Sequence, residues 1–264
     1  MLKRNLDRKF AKYLLIVSSI CILTLLFVLS SCDKQVVDEN ETKAKELAST
    51  LTLEEKVGQL FIIRPEALIN NIATAEIENV KDEAGIKEAT PEIIQNMQKY
   101  NLGGIAMFAK NIKTPEQTTI MVQTLKENSK IPLFFGIDEE GGLVARIANN
   151  SSFGVNNVEG GMQGIGATAD PVNAYNAAEY IGSYLEKYNF NLDFAPVCDV
   201  NTNPQGNSLK DRSFSSDPQL VAKMVEQYIN GLHKHKVLST MKHFPGIGDE
   251  TGDTHQKFVV VWLL

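Results

Sequence analysis

The chain has 264 residues, 43% hydrophobic and 22% charged, which suits one large globular domain or two small ones. A net charge of −6 without a basic stripe excludes a nucleic-acid footprint and makes polyanions poor partners. Cys21, Cys32 and Cys198 form no disulfide framework, and four dispersed histidines (His233, His235, His243, His255) form no zinc site. No metal or organic cofactor is implied, and Cys198 reads as a small buried core residue.

The first twelve residues carry Lys3, Arg4, Arg8, Lys9 and Lys12 against Asp7, and Tyr13–Leu29 follows without a charge. This is the layout of a secretory signal, with the positive end on the side that stays inside. Leu29-Ser-Ser-Cys32 resembles a bacterial lipobox, in which Cys32 becomes the lipidated mature N-terminus. An uncleaved membrane anchor is the other reading, since the apolar run approaches the length of a span. Both readings put the body outside the cytoplasm, tethered to a membrane. The expected organisation is a signal peptide over 1–31, a polar tether over 32–49, and one folded domain over 50–264.

In the body, Leu51–Phe61 predicts a helix capped by Thr52 with Glu55 three residues on, running into a strand at Leu60–Arg64. Pro65–Thr90 is acidic and weakly periodic, and reads as a surface excursion without chemistry. Helix and strand then alternate: helices over Pro91–Tyr100, Pro115–Asn128, Asp170–Tyr188 and Asp217–Lys236, and strands over Gly103–Phe108, Ile131–Ile137, Phe190–Val197 and Val237–Met241. Continuous apolar strands between amphipathic helices predict a parallel sheet covered on both faces. No dinucleotide glycine fingerprint follows the first strand, which weakens a Rossmann reading.

The polar clusters fall just after strands. They are Lys110-Asn111, then Asp138-Glu-Glu-Gly-Gly142 with Arg146, then Asp199, Asn201, Asn203 and Arg212, and finally Lys242–His255. Clustering on one rim is what a (β/α)₈ barrel would show, and the five strands predict about five of its eight β/α units. Asp253-x-His255 places a carboxylate close enough to orient an imidazole, although such pairs are common in solvated loops. A polyhydroxylated, uncharged substrate calls for fixed carboxylates and forked cations, and Asp138, Arg146, Arg212, Lys242 and His243 supply them from three strand ends.

Lys242-His-Phe-Pro-Gly-x-Gly-Asp…Asp253-x-His255 resembles the signature of glycoside hydrolase family 3, in its β-N-acetylglucosaminidase branch, and the similarity runs from about Leu51 to Gln256. The resemblance implies a (β/α)₈ TIM-barrel α/β fold. It implies sugar binding by Asp138, Arg146, Arg212, Lys242 and His243, and catalysis by His255 as acid/base with Asp253 orienting it. Terminal N-acetylglucosamine would leave cell-wall or chitin-type glycans by a retaining mechanism, with the nucleophilic Asp on a later strand. Leu143 and Ile247 depart from the Arg and His common in the family. After Gln256 the chain reads Lys-Phe-Val-Val-Val-Trp-Leu-Leu264 and the resemblance stops, so the barrel is expected to be incomplete and the chain as written inactive or unstable. A β-glucosidase or β-xylosidase of the same family, and a sugar-binding lipoprotein without turnover, are the alternatives.

Overall fold

The computed structural model describes residues 38–79, 81–203, 209–247 and 252. The leader 1–31 and Cys32 lie outside the described residues, as do Asp253 and His255. The chain divides into two units, at Leu51 and Thr52.

In the first unit, helix α1 (Glu39–Thr50) has no buried residue. Asp38 caps it by accepting from the Asn40 N–H at 2.9 Å, and Lys43–Glu39 and Lys45–Glu41 pair one turn apart. The stretch expected as a polar tether is therefore helical over these residues. It is polar all round, and its own cap and i,i+4 pairs support it.

The second unit opens as the sequence predicts, with helix α2 (Leu53–Gly58). The Glu55 N–H donates to Thr52 Oγ1 at 3.2 Å, and the Thr52 N–H donates back to Glu55 Oε2 at 2.9 Å. Strand β1 (Ile62–Ile63), strand β2 (Gly104–Met107), strand β3 (Phe134–Ile137), strand β4 (Leu192–Asp193) and strand β5 (Leu238–Ser239) form one parallel sheet in sequence order. Each crossover from β2 onward is helical. Helix α3 (Thr74–Glu78) lies in the excursion, helix α4 (Pro91–Tyr100) precedes β2, and helix α5 (Pro115–Glu127) precedes β3. Helix α6 (Gly161–Ala167) and helix α7 (Pro171–Lys187) precede β4, and helix α8 (Pro218–Lys234) precedes β5.

Four of these helices start alike: Thr90-Pro91, Thr114-Pro115, Asp170-Pro171 and Asp217-Pro218 each put a capping side chain before a proline at the first helical position. The hydroxyl or carboxylate accepts an orphan N–H, and the proline loses only a donor that has no partner there. The apolar faces of these helices (Ile93 and Met97; Met121 and Leu125; Ala178 and Ile181; Met224 and Val225) bury against Ile105, Met107, Phe135 and Ile137 of the strands. Burial of such side chains is the main favourable term holding sheet to helices.

Two stretches differ from expectation. The excursion contains buried residues, Pro65, Glu66 and Leu68, and Glu66 accepts from Asn111 in the turn after β2. Helix α6 was not anticipated, since Gly-Met-Gln-Gly-Ile-Gly-Ala is a poor helix former. Its glycines answer to packing: a Cβ on Gly166 would stand 1.7 Å from the Phe214 carbonyl oxygen.

Among the described residues the sheet is not closed, and β1 and β5 are its edges. Ile62, Phe134 and Leu238 share one face by register and are 36%, 41% and 46% exposed, as expected of an apolar barrel interior left open. Past Asp193 and Ser239 the pairing continues irregularly. The Lys242 N–H donates to the Pro196 carbonyl at 3.1 Å, and the Cys198 N–H donates to the Lys242 carbonyl at 2.7 Å. That backbone pairing sets Lys242-His243 beside Cys198-Asp199.

Candidate active site

Three loops leave the C-terminal ends of β3, β4 and β5 and bring their side chains into one chain of alternating charge. Arg146 Nη2 lies 3.2 Å from Asp138 Oδ2, and Asp138 Oδ1 accepts from Lys242 Nζ at 2.8 Å. Lys242 also pairs with Glu140 Oε1. Glu140 in turn holds Arg212 at both ends, with Nε on Oε2 and Nη2 on Oε1, each at 2.8 Å. Arg212 Nη2 reaches His243 Nε2 at 3.2 Å, and His243 Nδ1 lies 2.7 Å from Asp199 Oδ2. All five predicted binding residues (Asp138, Arg146, Arg212, Lys242 and His243) are thus in one network.

Exposure sorts this network into two layers. The side chains of Glu140 and Asp199 are 1% and 0% exposed, while those of Asp138, Arg146 and His243 are 19%, 27% and 32% exposed. The two buried carboxylates hold the cations and the imidazole from beneath, and the outer side chains face what enters the rim. The network is charge-balanced, with three carboxylates against Arg146, Lys242 and Arg212. It therefore suits a neutral ligand that offers hydroxyls, and it gives a charged ligand no net attraction.

The histidine tautomer follows from its neighbours. Arg212 can only donate, so His243 Nε2 accepts and Nδ1 carries the proton toward Asp199. Asp199 also accepts from the His243 N–H at 3.0 Å and, through Oδ1, from the Ile247 N–H at 2.6 Å. Both are backbone donors, so the contact at 247 calls for no particular side chain there. Leu143 is exposed on the same rim segment.

The carboxyls respond to these partners. Burial pushes Asp138 up, but Lys242 and then Arg146 outweigh it and leave the group below its ordinary value of 3.8. Asp199 is likewise raised by burial and brought below 3.8 by the hydrogen bonds from His243 and Ile247. Behind the site, burial raises both Glu139, which has no cation beside it, and Asp193, where the Glu139 amide and Lys242 offset burial only in part.

Lys110 and Asn111, also at a strand end, serve a different purpose. The Lys110 ammonium is buried and donates to the Ile77 and Asn79 carbonyls at 2.9 and 2.7 Å, and Asn111 donates to Glu66 Oε1 at 2.6 Å. They pin the excursion to β2. Cys198 is half-buried, not a core residue, and borders a groove of about 480 Å³ with Val221, Val225 and Met241. Among the described residues no group of acids, histidines and cysteines is placed to hold a metal.

Residues 52–262 match the model of the glycosyl hydrolase family 3 N terminal domain. The chain belongs to glycoside hydrolase family 3. Among curated relatives, beta-hexosaminidase A of Pseudoalteromonas piscicida is 34% identical over 180 residues, covering 65% of this chain and 29% of that protein. Beta-hexosaminidase of Xylella fastidiosa (strain M12) is 33% identical over 171 residues, covering 62% of this chain and 49% of the relative. The solved family 3 beta-N-acetylglucosaminidase from Paenibacillus sp. str. FPU-7 superposes with a TM-score of 0.63 at 32% identity, over 78% of this chain and 35% of that one. NagZ from Neisseria gonorrhoeae, solved with N-trifluoroacetyl-D-glucosamine, gives a TM-score of 0.56 at 26% identity, over 66% of this chain and 52% of its own. The chain thus spans half or less of the length of the curated relatives named here. The family 3 domain is TIM-barrel-like, and the α/β fold expected from the sequence is the one found, with five parallel strands.

Sequence reasoning missed Glu140 and Asp199 as partners. Asp138 and Glu140 are two apart off a strand end, so alternation alone would have put them on one side. Asp199 offered no comparable signal.

Proposed function

We propose that this chain supplies the sugar-binding rim of a β-N-acetylhexosaminidase that removes terminal, non-reducing β-linked N-acetylglucosamine from cell-wall or chitin-type glycans. The observation that carries this reading is the continuous Asp138–Lys242–Glu140–Arg212–His243 network on a family 3 domain. Its outer carboxylate and cations accept from and donate to sugar hydroxyls, and the buried anions keep them in place. The names of the curated relatives and the glucosamine derivative bound in the Neisseria structure support the N-acetylglucosamine class.

In this mechanism His255 donates a proton to the leaving oxygen and later takes one from water, with Asp253 orienting the ring and stabilising its charged form. Asp138, Glu140 and Asp199 are each committed to cations or donors. Asp138 acts as a binder and Glu140 and Asp199 as its buried supports, and the retaining nucleophile is another carboxylate of the family fold.

The test is a panel of 4-nitrophenyl β-glycosides (N-acetylglucosaminide, glucoside, xyloside) with N-acetylglucosamine binding measured by calorimetry. Preference for the N-acetyl sugar is expected, and any turnover should fall by roughly 10²–10⁴-fold in His255→Ala. Equal handling of glucoside would favour the β-glucosidase reading. Binding with turnover that His255→Ala leaves untouched would remove the dyad from the mechanism.

The chain is further proposed to be a bacterial lipoprotein anchored through Cys32 outside the cytoplasm, a reading supported by the charge and hydropathy pattern of its first 32 residues. Among the described residues no helix is long and apolar enough to cross a membrane. Labelled palmitate should enter the expressed protein and be lost in Cys32→Ser; unchanged labelling would sink the anchor.

A further inference from the structure

The Asp-Glu-Glu run off β3 points to two sides. Asp138 and Glu140 both meet Lys242, so the carboxylate between them faces the opposite way, into the layer under α7 and α8. There Glu139 is fully buried. Its Oε2 accepts from the Arg146 and Ile147 N–H groups at 2.6 and 2.9 Å, and its Oε1 accepts from the Ala148 N–H at 2.8 Å and from the Tyr184 hydroxyl at 2.9 Å. Four donors converge on one carboxylate, and none of them is a cation. The Tyr228 hydroxyl donates to the Glu139 and Glu140 carbonyls at 3.4 and 3.3 Å, and the Glu139 N–H donates to Asp193 Oδ1 at 2.9 Å.

Between Glu139 and Arg146 the chain turns back through Gly141 (φ 85°) and Gly142 (φ 65°), a left-handed pair that needs glycine. Three consecutive amides then close on the carboxylate, which fixes the backbone of Arg146 while its side chain reaches over to Asp138. We propose that Glu139 is a positioning residue: through the amides of 146–148 it places Arg146 against Asp138, and so sets the geometry of the outer sugar-binding face.

The proposal rests on the sugar-binding reading for its functional consequence, and on geometry alone for its structural one. Glutamine at 139 has the shape of glutamate but one acceptor oxygen fewer. With its oxygen on the Arg146 and Ile147 N–H groups, its amide nitrogen can donate to the Tyr184 hydroxyl, but it leaves the Ala148 N–H without an acceptor.

The experiment follows the Asp138 carboxyl by ¹³C NMR through a pH titration of the full chain, in wild type, Arg146→Ala, Glu139→Gln and the double variant. Arg146→Ala should raise the Asp138 titration, because a cation is lost. Glu139→Gln should raise it in the same direction by up to that amount, and the double variant by no more than Arg146→Ala alone. Tyr184→Phe, which removes one donor of four and keeps the fold, should give a smaller shift in the same direction. An Asp138 titration unmoved in Tyr184→Phe and in any folded Glu139 variant, while Arg146→Ala moves it, would overturn the proposal. Calorimetry with N-acetylglucosamine is the separate arm, where Glu139→Gln should weaken binding about tenfold. If wild type itself fails to bind, the functional reading falls while the titration still decides the role of Glu139.

Discussion

Glu140→Ala is expected to lower stability by about 3–5 kcal/mol, the range for breaking a buried ion pair from one side. The carboxylate is almost completely enclosed, and its removal takes from the Arg212 guanidinium its carboxylate partner and from the Lys242 ammonium one of two, both cations being only 16% and 15% exposed. In a domain of this size the melting temperature should fall by roughly 6–20 °C. Sugar binding should weaken as well, since Glu140 is the one group that holds Arg212 and Lys242 together. Glu140→Gln keeps a single acceptor and should fall between wild type and alanine. Thermal melts with calorimetry on the same samples check both effects. A Glu140→Ala protein that melts like wild type would show that the two cations find other partners, and the layered reading of the site would fail.

Asp199→Ala carries the second large effect. Three donors lose their acceptor: the His243 N–H, the His243 Nδ1–H and the Ile247 N–H. A buried donor left unsatisfied costs about 1–3 kcal/mol, but these three are only part-buried and water can reach them, so a total loss on the order of 2–4 kcal/mol is expected. The free imidazole is then no longer held in its Nδ1–H tautomer against Arg212.

The pH dependence separates this role from simple packing. The folded-state titration of Asp199 lies below its ordinary 3.8, so its contribution is fully present above that pH and is lost as pH falls through the lower folded value. Asp138 behaves in the same sense. Glu139 and Asp193 are raised and act oppositely, favouring the fold at low pH and losing that contribution as pH rises through their folded values. The informative quantity is therefore the difference between wild type and Asp199→Asn, which should shrink steadily below about pH 3.8. A difference that stays constant across that range in denaturant melts would argue that the carboxylate charge is not what Asp199 contributes.

What could be read from the sequence was what neighbouring residues decide. The helix starts Thr90-Pro91, Thr114-Pro115, Asp170-Pro171 and Asp217-Pro218 are local capping chemistry, and the apolar runs at Gly103–Phe108 and Ile131–Ile137 suit a strand buried on both faces. From these came the order of elements and five parallel strands with their polar clusters on one rim. The clusters in turn named Asp138, Arg146, Arg212, Lys242 and His243. Helix α6 escaped because its glycines suppress helix propensity, and one of them, Gly166, is there for a close approach to the Phe214 backbone that only the fold creates.

The tertiary structure decided what each polar residue does. Lys110 and Lys242 both follow strands and look alike in sequence, yet one is consumed by carbonyls of the excursion and the other joins the site. Lys242 meets Asp138 across 104 positions, Arg212 meets Glu140 across 72, and His243 meets Asp199 across 44. No local pattern encodes such pairings, because adjacent strands in a parallel sheet bring their ends together only after a whole helical crossover has packed. The residue types were fixed by the sequence. Which carboxylate lies buried beneath which cation was fixed by the sheet.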